Sequence, residues 1–412
     1  MSSPLNQTRS GPTAASNGEP DSRRRNLAEA AKQLAPQCSQ RSAEVNQLRR
    51  FPDDLWKEFI DSGLPRGLQA SRWGGGEVDL WEFYSGVAEI ARAEGSLGWV
   101  LGVLGVHPWQ TSLYPRETQE EIWGADPTVF NSSSYAPTGK AERVAGGWRI
   151  DGRWSFSTGC DLCQWVNLGA IPGMIEIEGQ TVPEFRSFLL PRKDYKIDDN
   201  WRVAGMAGTG SKDIVVDHAF VPEHRSQSHW DYTFGKELPG WEINPAPLYR
   251  VPWALVFSFA LTSATLGAAR GFLEAWTEVS RTRVGGFGVR VRDDILTHKL
   301  LAEADYAIEG GFLRLKADSE ELMDAARAGT FLPRVRRAAM RYDGCRSAQL
   351  AVQTVDRLYE SSSGRIIFFD HPLQRRYQDV KAMIGHVYLN TDPPGRVFGA
   401  MRLGVPTVEF SL

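Results

Sequence analysis

Two cysteines stand close enough together in this sequence to suggest chemistry. Cys160-Asp-Leu-Cys163 has the CxxC spacing that can bind zinc or form a redox-active disulfide. A structural zinc site needs a second pair of ligands, and the sequence contains no other CxxC and no HxxxH. We therefore interpret the cysteine pair as incidental, and no metal site is predicted.

A glycine-rich stretch, Gly205–Lys212 (GMAGTGSK), resembles a phosphate-binding loop at first sight. The Walker order requires glycine, lysine and then serine or threonine, so that backbone amides and the lysine converge on phosphates. Here Ser211 precedes Lys212, and the next residues have the pattern of a strand instead of a helix. The sequence also lacks a GxGxxG between a strand and a helix, an HExxH and a GxSxG. P-loop, Rossmann, metalloprotease and serine-hydrolase sites are therefore not predicted.

The composition is that of an ordinary globular enzyme. Of 412 residues, 42% are hydrophobic and 24% are charged, and the net charge of -3 leaves no basic surplus to bind nucleic acid. Four cysteines are too few for a disulfide-stapled secreted protein, and the N-terminus has no apolar signal segment. We therefore expect a cytoplasmic enzyme that does not cross a membrane. Fourteen tryptophans indicate a large aromatic core or, as the alternative, a pocket for a flat apolar ligand.

The chain changes its pattern twice, from helical to strand-like and back. Residues 1–25, rich in Ser, Pro, Gly and Asn, are expected to be a disordered lead-in to an N-terminal helical domain at residues 26–123. A middle β domain is expected at residues 124–235, a C-terminal helical bundle at residues 236–403 and a tail at residues 404–412. Helices followed by strands and then by helices indicate an α+β fold.

The second and third zones have the clearest patterns. Alternating residues on both sides of Gly146-Gly147 predict a β-hairpin, and the short strands after it predict a small barrel or sandwich. The third zone predicts a four-helix bundle, with helices at Leu255–Arg281, Asp294–Ala328, Pro333–Ser361 and His371–Leu389.

Four segments, in a fixed order along the chain, resemble the group D flavin monooxygenases. They are residues 121–137, 152–161 (GRWSFSTGCD), 199–212 (DNWRVAGMAGTGSK) and 373–386. This family is similar in fold to the acyl-CoA dehydrogenases, which implies an N-terminal helical domain, a middle β-barrel or sandwich domain and a C-terminal four-helix bundle. Its members include hydroxylases of 4-hydroxyphenylacetate and of a ring-opened phenolic steroid, and the sequence is more similar to the steroid enzyme.

The resemblance implies an oxygenase component that receives reduced FMN or FAD from a separate NAD(P)H:flavin reductase and uses O2. In such enzymes a C4a-hydroperoxide of the flavin hydroxylates the ortho position of a phenol. The resemblance also implies a homotetramer. Relatives that oxidise amine nitrogen, thiophene sulfur or polyketide rings leave other acceptors open. An acyl-CoA dehydrogenase-like oxidoreductase and a non-catalytic flavin carrier remain as further alternatives.

Two histidines carry the catalytic part of this resemblance. Many dehydrogenases of this fold have a catalytic glutamate on the last bundle helices, whereas Ala382–Asn390 contains His386 and no glutamate. This difference favours an oxygenase, and we expect His386 to bind the substrate and to act as the general base that turns a phenol into a phenolate. His107, after an apolar helix, is expected to bind the substrate and to orient the phenol or share in proton transfer.

Hydroxyl side chains are assigned to the flavin by the same resemblance. Ser157 and Thr158 are the candidate catalytic residues that donate a hydrogen bond near flavin N5. Ser132, Ser133 and Ser134 are expected to contact flavin, and Ser133 also the substrate.

Two arginines are the candidates for flavin phosphate. Arg281 or Arg283 is expected to bind it, in this fold often across a subunit boundary. The choice between them stays open because the spacing to Phe287 departs from the dehydrogenase pattern. Leu162 stands where relatives commonly carry histidine, so the exact substrate stays open as well.

Overall fold

A computed structural model describes residues 26–412, and it confirms the expected order of helices, strands and helices. The disordered lead-in predicted for residues 1–25 lies outside the described residues. The helices before the strands are α1 (Leu27–Gln40), α2 (Ser42–Leu48), α3 (Asp53–Ser62), α4 (Leu80–Ala93), α5 (Gly95–Thr111) and α6 (Arg116–Trp123). Those after the strands are α7 (His229–Phe234), α8 (Trp253–Thr282), α9 (Ile295–Arg327), α10 (Arg334–Glu360), α11 (Gln374–Met383) and α12 (Asp392–Arg402).

Between the two helical parts lies a sheet in the order β7-β8-β2-β1-β3-β6-β9, with a separate β4–β5 hairpin. The predicted hairpin at Gly146-Gly147 is confirmed, because Val144 lies opposite Gly147. The β4–β5 hairpin and β9 were not predicted. The strands are β1 (Asn131–Val144), β2 (Gly147–Ser157), β3 (Trp165–Ala170), β4 (Met174–Ile177), β5 (Gln180–Pro183), β6 (Arg186–Pro191), β7 (Lys196–Asp198), β8 (Lys212–Pro222) and β9 (Ser226–Ser228).

Strand β1 belongs to both halves of this sheet. Its first residues, Asn131–Ser134, pair with β3, and Lys140–Val144 pair with β2, with a register shift between the two parts. Side chains from both halves, such as Trp154 and Phe188, are buried in one shared core. A strand that passes from one sheet to another in this way is a feature of sandwiches, as the sequence predicts.

Helix α5 forms the centre of the N-terminal part. All of its residues are buried, which explains why its sequence is apolar on every side. Glu94 caps the helix by accepting a hydrogen bond of 2.7 Å from the Leu97 amide. Gly98 permits the close approach of α4, because a Cβ at this position would lie 2.4 Å from Ala91.

Helix α8 is the axis of the C-terminal bundle. Of the described helices it alone is long and apolar enough to cross a membrane, but 94% of its apolar window is buried inside the protein, as in a core helix. Three of the predicted bundle helices agree with α8, α9 and α10 within a few residues.

The fourth predicted helix, His371–Leu389, is wrong at its C-terminal end. Helix α11 ends at Met383, and Val387–Leu389 forms a separate 3₁₀ turn. His386 therefore lies in the short connection after α11 and is the N-cap residue of this turn, so it is not part of a helix.

The C-terminal tail packs against the rest of the protein. The Phe410 ring lies 4.9 Å from Phe185 of the β region. Arg334 and Arg337 of α10 donate hydrogen bonds to the carbonyl oxygens of Thr407 and Leu412, at 2.8 and 3.2 Å. The tail thus covers one side of α7.

Candidate active site

Aromatic side chains from four elements meet at the N-terminal end of α8. Trp253 and Phe257 are stacked, with ring centres 5.2 Å apart. Tyr135 of β1 and Tyr388 of the 3₁₀ turn meet Phe257 edge-on, at 5.7 and 5.4 Å. Trp99 of α5 lies next to His386, and the ring centres of Trp99 and His386 are 5.7 Å apart. We name Trp99, Tyr135, Trp253, Phe257 and Tyr388 the aromatic chamber.

His386 closes one side of the aromatic chamber. Its ring lies 6.0 Å from Phe257, and its Nδ1 atom accepts a hydrogen bond of 3.1 Å from the Tyr388 amide. In a neutral imidazole the other nitrogen, Nε2, then carries the hydrogen and can only donate. Burial, with a further effect of the Arg341 cation, lowers the pKa of His386 to about 4. At neutral pH the side chain is therefore uncharged, and its Nε2–H group is a hydrogen-bond donor.

His107 lies on the same chamber, about two turns after Trp99 on α5. Its ring centre is 6.3 Å from that of Tyr135 and 6.5 Å from that of Phe257. The ring is fully buried, and among the described residues its hydrogen-bond contact is with the backbone of Val103, one turn earlier in α5. Burial lowers the pKa of His107 to about 3, so this imidazole is also neutral and keeps one acceptor nitrogen.

Serines of β1 and β2 form a hydroxyl-rich patch beside this chamber. Ser157 donates a hydrogen bond of 3.0 Å to Ser132, and Ser134 donates one of 2.6 Å to the Ser155 carbonyl. Ser133 interacts with the Tyr135 hydroxyl, which connects the patch with the aromatic chamber. The structure therefore brings the predicted serines together.

Thr158 belongs to a chain of hydroxyl groups with a defined direction. Thr209 donates to the Met206 carbonyl at 2.9 Å, Ser211 lies 2.7 Å from Thr209, and Thr158 lies 2.9 Å from Ser211. Each hydroxyl has only one hydrogen. With the Thr209 hydrogen on this carbonyl, Ser211 donates to Thr209 and Thr158 donates to Ser211, whereas the two hydroxyl pairs taken alone allow either direction. In this arrangement only acceptor lone pairs of Thr158 remain. The donor role near flavin N5 that the sequence analysis gives to Thr158 stays a prediction.

Phe156, the residue before this pair of hydroxyls, has an unusual backbone. Its φ of 66° is rare for a bulky residue, and the register of β2 and β8 shifts at this point. The ring is 69% exposed and meets Trp201 edge-on at 5.9 Å. Phe156 thus places an exposed aromatic side chain directly before the buried Ser157 and Thr158.

The hydroxyl patch and the aromatic chamber meet along α5. Gly159, next to Thr158, packs so closely on this helix that a Cβ would lie 2.9 Å from Leu104. Leu104 lies between Trp99 and His107 in the sequence of α5. The segment that carries Thr158 therefore packs on the helix that also carries Trp99 and His107.

The two candidate arginines lie elsewhere. Arg281 pairs with Glu278 at 2.8 Å, and Arg283 donates a hydrogen bond of 2.9 Å to the Ser361 carbonyl. Arg281 follows Phe257 by about 24 residues of α8, or about 36 Å of helix. The structure does not bring either arginine to the chamber within one chain.

The cysteines of the CxxC motif lie behind the hydroxyl patch. The Cys160 thiol faces the Gly210 carbonyl at 3.7 Å, and the Cys163 thiol faces the Gly159 carbonyl at 3.5 Å. Burial raises the pKa of Cys160 to about 12, so its reactive thiolate form is scarce. Both thiols fill space under the strand that carries Ser157.

Several residues at this site received no role in the sequence analysis. Ser211 and Thr209 lie in a segment that carries the resemblance, but nothing in the sequence shows their contact with Thr158. The tryptophan count indicated an aromatic core, with a pocket as the alternative, and Trp99 and Trp253 of the aromatic chamber are both buried. The residues without a predicted role are Trp99, Tyr135, Phe156, Trp201, Thr209, Ser211, His229, Trp253, Phe257 and Tyr388.

Helices, a β region and a helical bundle in this order define the acyl-CoA dehydrogenase fold. A profile of the family "Acyl-CoA dehydrogenase, C-terminal domain" matches residues 259–391. The crystal structure of 3-HSA hydroxylase from Rhodococcus sp. RHA1 has a TM-score of 0.88 and 35% identity, over 94% of this chain and 99% of that chain.

Similarity in sequence narrows this class. The flavin-dependent monooxygenase, oxygenase subunit HsaA of Rhodococcus jostii (strain RHA1) is 37% identical over 91% of this chain and 98% of its own. The FADH(2)-dependent resorcinol hydroxylase, oxygenase component, of Rhizobium sp. (strain MTP-10005) is 32% identical over 88% and 90%. The chain therefore belongs to the flavin-dependent monooxygenases, as an oxygenase component.

Proposed function

We propose that this oxygenase component hydroxylates a phenol ortho to its hydroxyl group, with reduced FMN or FAD and O2. The observation that carries the proposal is the pair of neutral imidazoles, His107 and His386, that face one aromatic chamber. One offers an acceptor nitrogen and the other an N–H group. A phenol hydroxyl, which both donates and accepts, complements this pair.

The phenol ring would lie among the aromatic side chains, with its hydroxyl group between the two histidines. The Nε2–H group of His386 donates to the phenol oxygen, and the acceptor nitrogen of His107 takes the phenol hydrogen bond. Both contacts favour negative charge on the oxygen, and so electron density at the ortho carbon. The resemblance gave His386 the role of accepting the phenol proton. Here His107 accepts the hydrogen bond of the phenol instead.

The flavin ring would lie against Phe156 and Trp201, next to Ser157 and Thr158. Reduced flavin, when bound, supplies the electrons that activate O2. Its N5 atom carries a hydrogen, and the Thr158 oxygen can accept a hydrogen bond from it. Ser132, Ser133 and Ser134 would border the ring from β1, and the apolar chamber keeps water away from the reacting atoms.

The remaining assignments concern partners. The relatives are named oxygenase subunit or component, which supports a separate reductase as the source of reduced flavin. We place Arg281 or Arg283 at the flavin phosphate of another subunit of a homotetramer, because the helix length separates them from the chamber of their own chain. The enzyme would work in the cytoplasm.

The test supplies the purified protein with photoreduced FMN or FAD, ¹⁸O2 and either 4-ethylphenol or its O-methyl ether. We expect a catechol that contains one ¹⁸O atom from the phenol only, because the ether cannot donate to His107. His107→Phe should lower the yield strongly, whereas His218→Phe, a change at an exposed histidine, should not. Equal oxidation of phenol and ether, or no oxygen transfer to either, would contradict the proposal.

A further inference from the structure

A third histidine lies at the far end of the aromatic chamber. His229 is the first residue of α7 and is 1% exposed. Its ring centre lies 4.6 Å from that of Trp253 and 5.6 Å from that of Tyr135, both of which line the chamber. Phe185 and Tyr232 complete its surroundings at 4.4 and 5.4 Å.

Neither ring nitrogen of His229 has a hydrogen-bond partner among the described residues. The polar groups nearby bond to one another, since Tyr135 donates to Gln110 and Tyr232 donates to Gln227. A buried polar group without a partner destabilises a protein by about 1–3 kcal/mol. Phenylalanine would fill the same aromatic surroundings without that loss, so packing alone does not account for a histidine here.

We propose that His229 is a second polar subsite, which hydrogen-bonds an uncharged ketone or alcohol oxygen at the end of the substrate remote from the phenol. This inference rests on the proposed function, because it extends the same chamber. His386 contacts the Phe257 ring of the Trp253–Phe257 stack, whereas His229 contacts the Trp253 ring. The substrate class is thus a phenol with an apolar spacer and a distal oxygen.

The charge state of His229 selects an uncharged group. Burial, with a further effect of the Arg186 cation, lowers the pKa of His229 to about 3, so the ring is neutral. Arg186 itself is engaged by Glu184 and Ser226, at 2.9 and 3.0 Å, and does not offer a free cation for a carboxylate. A neutral imidazole has one N–H and one lone pair, which suit a carbonyl or hydroxyl oxygen.

The experiment compares 4-(4-hydroxyphenyl)cyclohexanone with 4-cyclohexylphenol, which differ only in the distal ketone. Their dissociation constants are measured by calorimetry, without oxygen, on the protein loaded with reduced flavin. For the native protein we expect the ketone to bind about 3- to 10-fold more tightly, as one hydrogen bond allows. His229→Phe should remove this preference, His229→Gln should keep part of it, and His218→Phe should leave it unchanged.

The outcomes separate this inference from the proposed function. Equal binding of the two probes by the native protein overturns the subsite, even if both phenols are hydroxylated. A preference for the ketone that His229→Phe abolishes supports the subsite, even if neither phenol is hydroxylated. If His229→Phe does not fold, the test uses the ratio of the two dissociation constants in the native protein and in His229→Gln. A preference for the ketone that is smaller in His229→Gln supports the subsite. A full preference in a folded His229→Phe protein overturns the subsite.

Discussion

Removal of one hydroxyl behind the flavin should change which redox state of the flavin the protein prefers. With the Thr209 hydrogen on the Met206 carbonyl, Thr158 donates to Ser211, and in the proposed site its oxygen is then only an acceptor for the flavin. N5 of reduced flavin has a hydrogen to give, whereas N5 of oxidised flavin has only a lone pair. We therefore expect this protein to bind reduced flavin more tightly than oxidised flavin. In Ser211→Ala the Thr158 hydroxyl can rotate and donate to oxidised flavin.

The size of the effect follows from the number of hydrogen bonds. Oxidised flavin gains one neutral hydrogen bond, which contributes about 0.5–1.5 kcal/mol, and reduced flavin keeps its own. The ratio of the two dissociation constants, oxidised over reduced, should fall about 3- to 10-fold. Thr209→Val should lower this ratio less than Ser211→Ala does, because Ser211 stays in place and loses only the hydroxyl that accepts its hydrogen bond.

The assay titrates each variant with oxidised flavin in air and with photoreduced flavin under argon, and it requires no turnover. Ser319→Ala is the matched control, because this buried serine only bonds to Leu315 within α9, at 2.7 Å. Thermal unfolding checks that each variant is folded. An unchanged ratio in Ser211→Ala, or an equal weakening of both redox states, would refute the directed chain.

Three further changes test other parts of the structure. Burial, together with repulsion from Asp379, raises the pKa of Glu94 to about 8, and burial raises the pKa of Asp379 to about 6. The folded protein therefore keeps protons on these carboxyl groups that the unfolded protein releases. The free energy of unfolding should then fall as the pH rises towards 8. Glu94→Gln should flatten this fall in urea titrations at pH 6 and 8.5; an equally steep fall would contradict it. His386→Ala should lower the rate of phenol hydroxylation about 100-fold or more. Flavin affinity should stay unchanged, and wild-type rates should show no break near pH 6.5, because His386 stays neutral above about pH 4. Phe410→Ala should destabilise the protein by about 1–2 kcal/mol, which is less than the loss of a fully buried phenylalanine side chain costs. The change should appear as a lower melting temperature. An unchanged melting temperature would show that the position of the tail does not depend on this ring.

The order of elements was predictable because it depends on local patterns. The hairpin at Gly146-Gly147 and the helices α8, α9 and α10 follow from residue alternation and apolar periodicity, which act over neighbouring residues. The end of α11 was not predictable in this way. The apolar pattern continues through Ile384 and Val387, although the backbone leaves the helix after Met383. The position of this helix end depends on the tertiary contacts of the turn that follows it.

The site was predictable only as a set of residue types. Ser157, Thr158, His107 and His386 were named because a family resemblance placed them there, and their roles stay predictions. Their directions as donors or acceptors depend on distant partners. Thr158 meets Ser211 across 53 residues, and His386 is oriented by the amide of the Tyr388 turn. A sequence pattern contains no information about which hydrogen is already used.

The polar groups of this site divide into two kinds, and the division carries the functional argument. The hydroxyls of Thr158, Ser211 and Thr209 satisfy one another, so the protein itself fixes their direction before any ligand arrives. Among the described residues His229 has no hydrogen-bond partner, and His107 has one nitrogen left beside its contact with the Val103 backbone, so both rings can still bind a ligand. A fully paired network suits a cofactor of constant shape, whose N5 position requires one defined acceptor. Imidazoles that can still bind a ligand in an apolar chamber suit a substrate that brings its own oxygens, because only a molecule with both groups repays the desolvation of both rings.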